Sequence, residues 1–166
     1  MVAGRRSEDG RRRTAGVGQH RFRPSSRRPG MQSEVRVERG PDGRHIAVSR
    51  TTAAPPERVW TVLTDTTAWP SWGPSVTDVE CSDRVIRVGS TGRVRTPLGV
   101  WVPFEITTCE EFRWTWTVVR VPATGHRVEG FETGSRVVFE LPLLAAGYVP
   151  VCRRALDAID RLAAEE

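Results

Sequence analysis

Few side chains in this sequence stand where they could move a proton or hold an oxyanion. His126 begins an alternating run, His126–Phe131, and shares a strand face with Val128 and Gly130. On an inward face a neutral imidazole can donate a hydrogen bond or relay a proton near neutral pH. A lone histidine at a strand end is more often solvent-exposed or structurally bonded; the functional alternative carried here is a ligand contact, with no catalytic role assigned. Tyr148 opens an apolar helical stripe, and its hydroxyl can reach a ligand or merely the backbone. Arg93 and Arg95 share a strand face, where one arginine could hold an enolate or carboxylate. Gly92, Val94 and Thr96 suit the interior better, so the arginines are expected in solvent. Asp65 follows a helical pattern and reads as a turn residue, and His45 has no evident partner.

Other chemistries leave no trace. There is no GxSxG elbow and no HExxH, and residues 89–99 do not make a dinucleotide fingerprint. The chain has no lysine, which excludes Schiff-base and pyridoxal-phosphate chemistry and a P-loop lysine. Cys81, Cys109 and Cys152 form no CxxC pair and no zinc-spaced cluster. They are expected as reduced thiols of a cytoplasmic protein. No catalytic residue, metal ligand or cofactor is assigned.

What remains is apolar and aromatic. Phe104, Ile106 and Thr108 alternate with Glu105 and Thr107, and Phe112, Trp114, Trp116 and Val118 with Arg113, Thr115 and Thr117. Val137, Phe139 and Leu141 oppose Val138 and Glu140. Period-two patterns of this kind define one face of a half-buried sheet. Tyr148, Cys152, Ala155, Ile159 and Leu162 recur at helical spacing and must cover that face. Rings so placed can fill a solid core. A cavity is the expectation because a strongly curved sheet gripping one helix leaves room that side chains only partly fill. Its expected lining is Trp72, Phe104, Ile106, Trp114, Trp116 and His126, with Val128, Phe139, Tyr148 and Cys152. Trp69 and Trp72 are expected either to gate its mouth or to pack the short helices.

The elements follow from the same periods. His45 to Thr52 predicts a first strand. Pro55, Pro56 and Glu57 then suit a helix's first turn, and Val59, Trp60, Val62 and Leu63 give it one apolar face ending near Asp65. A short helical turn is expected around Trp69 to Trp72. Six strands follow, at about 76–82, 92–96, 100–109, 112–121, 126–131 and 136–141, joined by short connections that favour antiparallel neighbours. Pro150 limits the last helix to about Val149–Ala164.

Residues 1–30 hold nine arginines against Glu8 and Asp9, a net of +7, while the rest of the chain carries −2. This segment reads as a disordered tail, or as the product of an upstream start with Met31 as the true beginning. It can bind anions by charge alone but specifies no nucleic acid. Residues 31–44 are expected as a polar lead-in with a turn at Gly40-Pro41-Asp42-Gly43, and residues 45–166 as the folded domain.

The order strand, two short helices, six strands and long helix resembles the helix-grip architecture of the START/Bet v 1-like superfamily (SRPBCC), in its polyketide cyclase/dehydrase-like branch. Ala54-Pro55-Pro56-Glu57-Arg58-Val59-Trp60 with Leu63-Thr64-Asp65, and Trp69-Pro70-Ser71-Trp72-Gly73-Pro74, carry the resemblance. Phe104 to Thr107, Trp114 and Gly134 to Val137 accompany them. The resemblance implies an α+β fold with a curved seven-stranded antiparallel sheet around a long C-terminal helix, enclosing an apolar cavity. It does not imply one activity.

Three functions are carried forward. The first is binding of a small hydrophobic molecule, lipid-, polyketide- or isoprenoid-like. The second is a polyketide cyclase or aromatase, and the third a regulatory or protein-interaction module. No membrane span is expected, because no apolar run approaches the roughly 18 residues required.

Overall fold

The structure, a computed structural model, describes residues 33–165. The expectation for residues 1–30 lies outside the described residues. Alternating apolar positions build nine strands in one antiparallel sheet: β1 (Glu34–Gly40), β2 (Gly43–Thr52), β3 (Asp78–Cys81), β4 (Thr91–Arg95), β5 (Trp101–Glu110), β6 (Arg113–Val118), β7 (Val121–Pro122), β8 (Gly125–Phe131) and β9 (Gly134–Pro142). Three helices accompany them: α1 (Pro56–Thr64), α2 (Trp69–Trp72) and α3 (Val149–Ala164). The sheet order is β1-β2-β9-β8-β6-β5-β4-β3, with β7 paired to β6.

Two strands exceed the expected seven. The lead-in contains β1, which pairs with β2 from Glu34↔Ser49 to Gly40↔Gly43. Its Val35 and Val37 are exposed and its neighbours charged, the composition of an edge strand protected from further pairing. The strand expected over 112–121 is divided, because Val119 and Arg120 both take positive φ, 52° and 62°. The chain reverses there and Val121–Pro122 pairs back on Thr117–Val118. A β-branched residue seldom adopts this conformation, so nothing in the residue types announced the turn.

A register shift between Ile106 and Thr108 corrects one face assignment. The extra residue of a bulge breaks the alternation and bends the strand. Thr108 therefore turns outward with Thr107, both hydroxyls meeting Thr115 Oγ1, at 2.7 and 2.8 Å. Cys109 instead packs toward the core.

α1 begins at a proline, which needs no amide partner in a first turn. Its last-turn carbonyls are met by indoles from the following segment: Trp69 Nε1 donates to Leu63 O at 3.0 Å and Trp72 Nε1 to Val62 O at 3.1 Å. The two tryptophans thus pin α2 beneath α1, satisfying acceptors that a helix end leaves orphaned. α3 lies across the concave face, burying Cys152, Ala155, Leu156, Ala158, Ile159 and Ala163. Arg50 of β2 clamps it from the sheet, bonding Asp157 at 2.7 Å and Asp160 at 3.0 Å. At Gly92 an added Cβ would stand 2.2 Å from Glu80 O and 2.9 Å from the Phe104 ring. The missing side chain is what lets β3, β4 and that ring close together.

Candidate functional site

Between the concave face and α3 the sheet encloses a cavity of about 300 Å³. Its floor is made by buried residues: Trp69 and Trp72 from α2, Trp114 of β6, His126 of β8, Phe139 of β9, and Cys152 and Ala155 of α3. Its mouth is made by exposed or half-exposed ones, among them Pro74, Ser75, Thr96, Pro122, Ala123, Pro142 and Tyr148. No Asp, Glu or Arg among the described residues lines it. Its polar groups are the Ser75, Thr96, Thr124 and Tyr148 hydroxyls, the Cys152 thiol, the His126 ring and the indole nitrogens.

Seven of the ten candidate lining residues meet at this cavity: Trp72, Trp114, Trp116, His126, Phe139, Tyr148 and Cys152. Phe104, Ile106 and Val128 do not, which corrects their assignment. Phe104 is wedged between Trp69 and Trp116, with centroids 5.4 and 5.7 Å away. Ile106 is wholly buried in the core, and Val128 is buried on β8, the strand that runs beneath α1. These three share the inward face with the cavity residues, but side chains from α1 and α2 fill that part of the grip. Residues the sequence reading did not single out stand at the mouth, and Thr124 stands closest to the chemistry.

His126 is the centre of the floor. Its ring stacks on Trp114, centroids 3.9 Å apart and planes 17° from parallel, and meets Phe139 edge-on at 4.5 Å. Burial drives its pKa down to about 3, because the apolar surroundings penalise the imidazolium. The ring is therefore neutral at physiological pH. Nε2 lies 3.3 Å from Thr124 Oγ1, which also accepts from Trp116 Nε1 at 3.4 Å. When the Thr124 hydroxyl donates to Nε2, the ring proton resides on Nδ1. His126 Nδ1 and Trp114 Nε1 are both buried and have no hydrogen-bond partner among the described residues.

Other groups are chemically quiet. Burial pushes the Cys152 thiol up to about 12, so no thiolate is available as a nucleophile. Tyr148 hydrogen-bonds Ser75 across the mouth, tying the start of α3 to the loop after α2. Burial raises its pKa. Arg93 stands in solvent, bonded to Glu80 at 2.6 Å and 4.9 Å over the Trp101 ring. Asp65 caps a 3-10 turn by accepting from Thr67 N and pairs with Arg84. Burial alone would raise its carboxyl, but bonds from Arg84 and Thr67 hold it below the ordinary value. Among the described residues no group of His, Cys, Asp and Glu could hold a metal ion.

A second, larger depression of about 560 Å³ adjoins the cavity mouth at Trp116, Pro122, Ala123 and Pro142 and is lined further by Asp42, Arg44, His45, Arg113, Glu140 and the threonines 107, 115 and 117. Most of its charges are matched within the fold, with Arg44 the exception among the described residues. Glu140 accepts from Arg113 at 2.8 Å and Arg127 at 2.9 Å, and Arg113 also holds Asp42 at 2.6 Å. It is a structural ion network, and the apolar cavity is the better candidate.

The family model for polyketide cyclase/dehydrase and lipid transport proteins matches residues 43–164. The chain belongs to that family. The polyketide cyclase/dehydrase and lipid transport match spans β2 through α3, the elements that build the cavity. No curated protein matches the chain. Among solved structures, protein Ms6760 from Mycobacterium smegmatis is similar at 21% identity, covering 78% of this chain and 97% of its own, with a TM-score of 0.53. CalU16 from Micromonospora echinospora is similar at 19% identity, covering 81% of this chain and 76% of its own, with a TM-score of 0.60. These likenesses establish the family's fold. No helix among the described residues is long and apolar enough to cross a membrane.

Proposed function

We propose that the protein binds one small, uncharged and largely apolar molecule in the cavity beneath α3. The observation that carries this reading is a cavity of about 300 Å³ walled by aromatic and aliphatic side chains with no charged group among the described residues. Affinity would come from burial, at about 25 cal/mol for each Å² of apolar surface removed from water. A carboxylate or ammonium would enter this site without a counter-ion, a cost of several kcal/mol in a dry interior. A carbonyl or hydroxyl suits it, since the Ser75, Thr96, Thr124 and Tyr148 side chains bring hydroxyl groups to the wall. The three free cysteines favour a cytoplasmic setting.

The cyclase reading has less support. Turnover asks for an acid or base poised near the working pH, and here the imidazole titrates near 3 and the thiol near 12. Proximity and water exclusion alone remain to such an enzyme. Native mass spectrometry of protein purified from its source cell tests the binding reading. Retention of a neutral organic molecule, one per chain, is expected. Uptake restricted to charged amphiphiles would refute the neutral-ligand assignment.

A further inference from the structure

One end of the sheet holds the cavity mouth and, around it, a cluster of exposed apolar side chains. The β4–β5 turn, the β6–β7 turn and the 3-10 segment Leu143–Tyr148 before α3 all lie there. Val94 pairs with Val102, Val119 N bonds Pro103 O, and His45 pairs with Pro142. Among the described residues twelve large apolar side chains are exposed, and seven come from these three segments: Leu98, Val100, Val119, Val121, Leu143, Leu144 and Tyr148. Leu98 is 91% exposed and Leu144 fully so. Adjacent in the same segments are Thr96, Pro122, Ala123 and Ala145, which line the cavity. The apolar rim is thus continuous with the cavity wall.

The exposed charge of the rim is mostly positive: the β1–β2 turn at the same end adds Arg44 and Asp42, and Asp42 is bonded to Arg113. Residues 95–101, 117–124 and 142–149 contain Arg95 and Arg120 and no acidic residue. Both arginines are exposed, and neither joins an ion pair among the described residues. Clustered apolar side chains flanked by free arginines match the boundary of an anionic bilayer. On such a surface leucines and valines would reach the acyl region and guanidinium groups would meet lipid headgroups.

We infer that this rim docks on the surface of an anionic lipid bilayer, so that an apolar ligand passes between membrane and cavity without crossing water. The inference rests on the binding function proposed above, because only a cavity that takes an apolar ligand needs such a passage. A protein partner would be expected to present acidic side chains to Arg95 and Arg120. A second copy of the same rim would bring like charges together.

The test is flotation of the full chain with vesicles of phosphatidylglycerol and phosphatidylcholine, against phosphatidylcholine alone. The parent should float with the anionic vesicles. Placing a carboxylate at two rim positions, Leu98→Asp with Leu144→Asp, should lower the bound fraction about tenfold or more. Arg95→Gln with Arg120→Gln should reduce the preference for anionic lipid, and Val88→Asp, at an exposed site on the opposite end of β4, should change nothing. Each variant keeps the arginine-rich residues 1–30, so their contribution is constant. Equal flotation of the Leu98→Asp/Leu144→Asp chain would overturn the inference, as would a parent that binds neither vesicle. A parent dimer that this double substitution converts to monomer would overturn it too, since the rim would then belong to a second copy. Uptake of uncharged N-phenyl-1-naphthylamine without vesicles separates the two claims: the double variant should still take it up if the cavity binds ligands.

Discussion

The imidazole of His126 lies flat on the indole of Trp114, the two residues facing each other across the β6–β8 ladder. Trp114 Nε1 and His126 Nδ1 are both buried without a hydrogen-bond partner among the described residues. A buried polar atom left unpaired costs about 1–3 kcal/mol. Both residues belong to the floor of the cavity.

The histidine makes stability depend on pH in a defined direction. Its folded pKa is depressed from 6.5 to about 3, so between those values the unfolded chain binds a proton that the native chain refuses. The stability associated with the neutral ring is complete above about pH 6.5 and declines toward pH 3, by up to about 1.4 kcal/mol per pH unit. His126→Phe keeps an aromatic ring in the stack and removes the titration. Its melting temperature should fall less than the parent's between pH 7 and pH 5. Parallel curves would contradict the burial argument.

Glu140 should govern a separate, more acidic range. Burial alone would raise its carboxyl, but Arg113 and Arg127 outweigh this and hold it below the ordinary value. Its contribution is therefore present above the unfolded carboxylate pKa and lost as pH falls through the lower folded one. Glu140→Leu leaves two half-buried arginines dependent on Asp42, Glu38 and Glu129. A loss of about 2–3 kcal/mol is expected, less than for a fully dry pair because both arginines reach solvent. Urea denaturation at pH 7 measures it.

Trp69 carries structure more than recognition. It is buried, stacks parallel to Trp114 at 5.4 Å and donates to Leu63 O. Trp69→Phe leaves that carbonyl unpaired and a void beside Trp114, for an expected loss of about 3 kcal/mol. Chemical denaturation should show the shift with an unchanged slope.

Much of this fold could be read from residue periods. Val149–Ala164 was expected as the last helix and is found there, because a proline in the first turn and a stripe from Cys152 to Leu162 leave little freedom. The cavity was harder to place. Alternation tells which face Phe104, Ile106 and Val128 occupy, but not how far along the grip the α1 and α2 side chains fill it. Thr124 carries no signal in the sequence, because a threonine in a Pro-Ala-Thr-Gly connection resembles any turn residue. Its part depends on Trp116 and His126 converging on its hydroxyl. The β1 strand was hidden by its charges, and the Val119-Arg120 reversal by residues ill suited to positive φ.

The Tyr148–Ser75 bond closes one side of the cavity mouth. Tyr148→Phe removes it while keeping the ring, so stability should change by less than about 1 kcal/mol. A bound apolar probe should leave several-fold faster, read by stopped-flow fluorescence after dilution. An unchanged release rate would assign the mouth to other residues.

The central claim is that the space beneath α3 takes a neutral apolar guest. Titration of the chain with N-phenyl-1-naphthylamine, followed by the probe's fluorescence, tests this most directly when run beside Ala155→Phe, which projects a ring from α3 into the cavity. Saturable uptake of one probe per chain is expected, weakened at least tenfold in the variant while its circular dichroism stays native. No uptake by the parent, or equal uptake by a folded Ala155→Phe chain, would contradict the account.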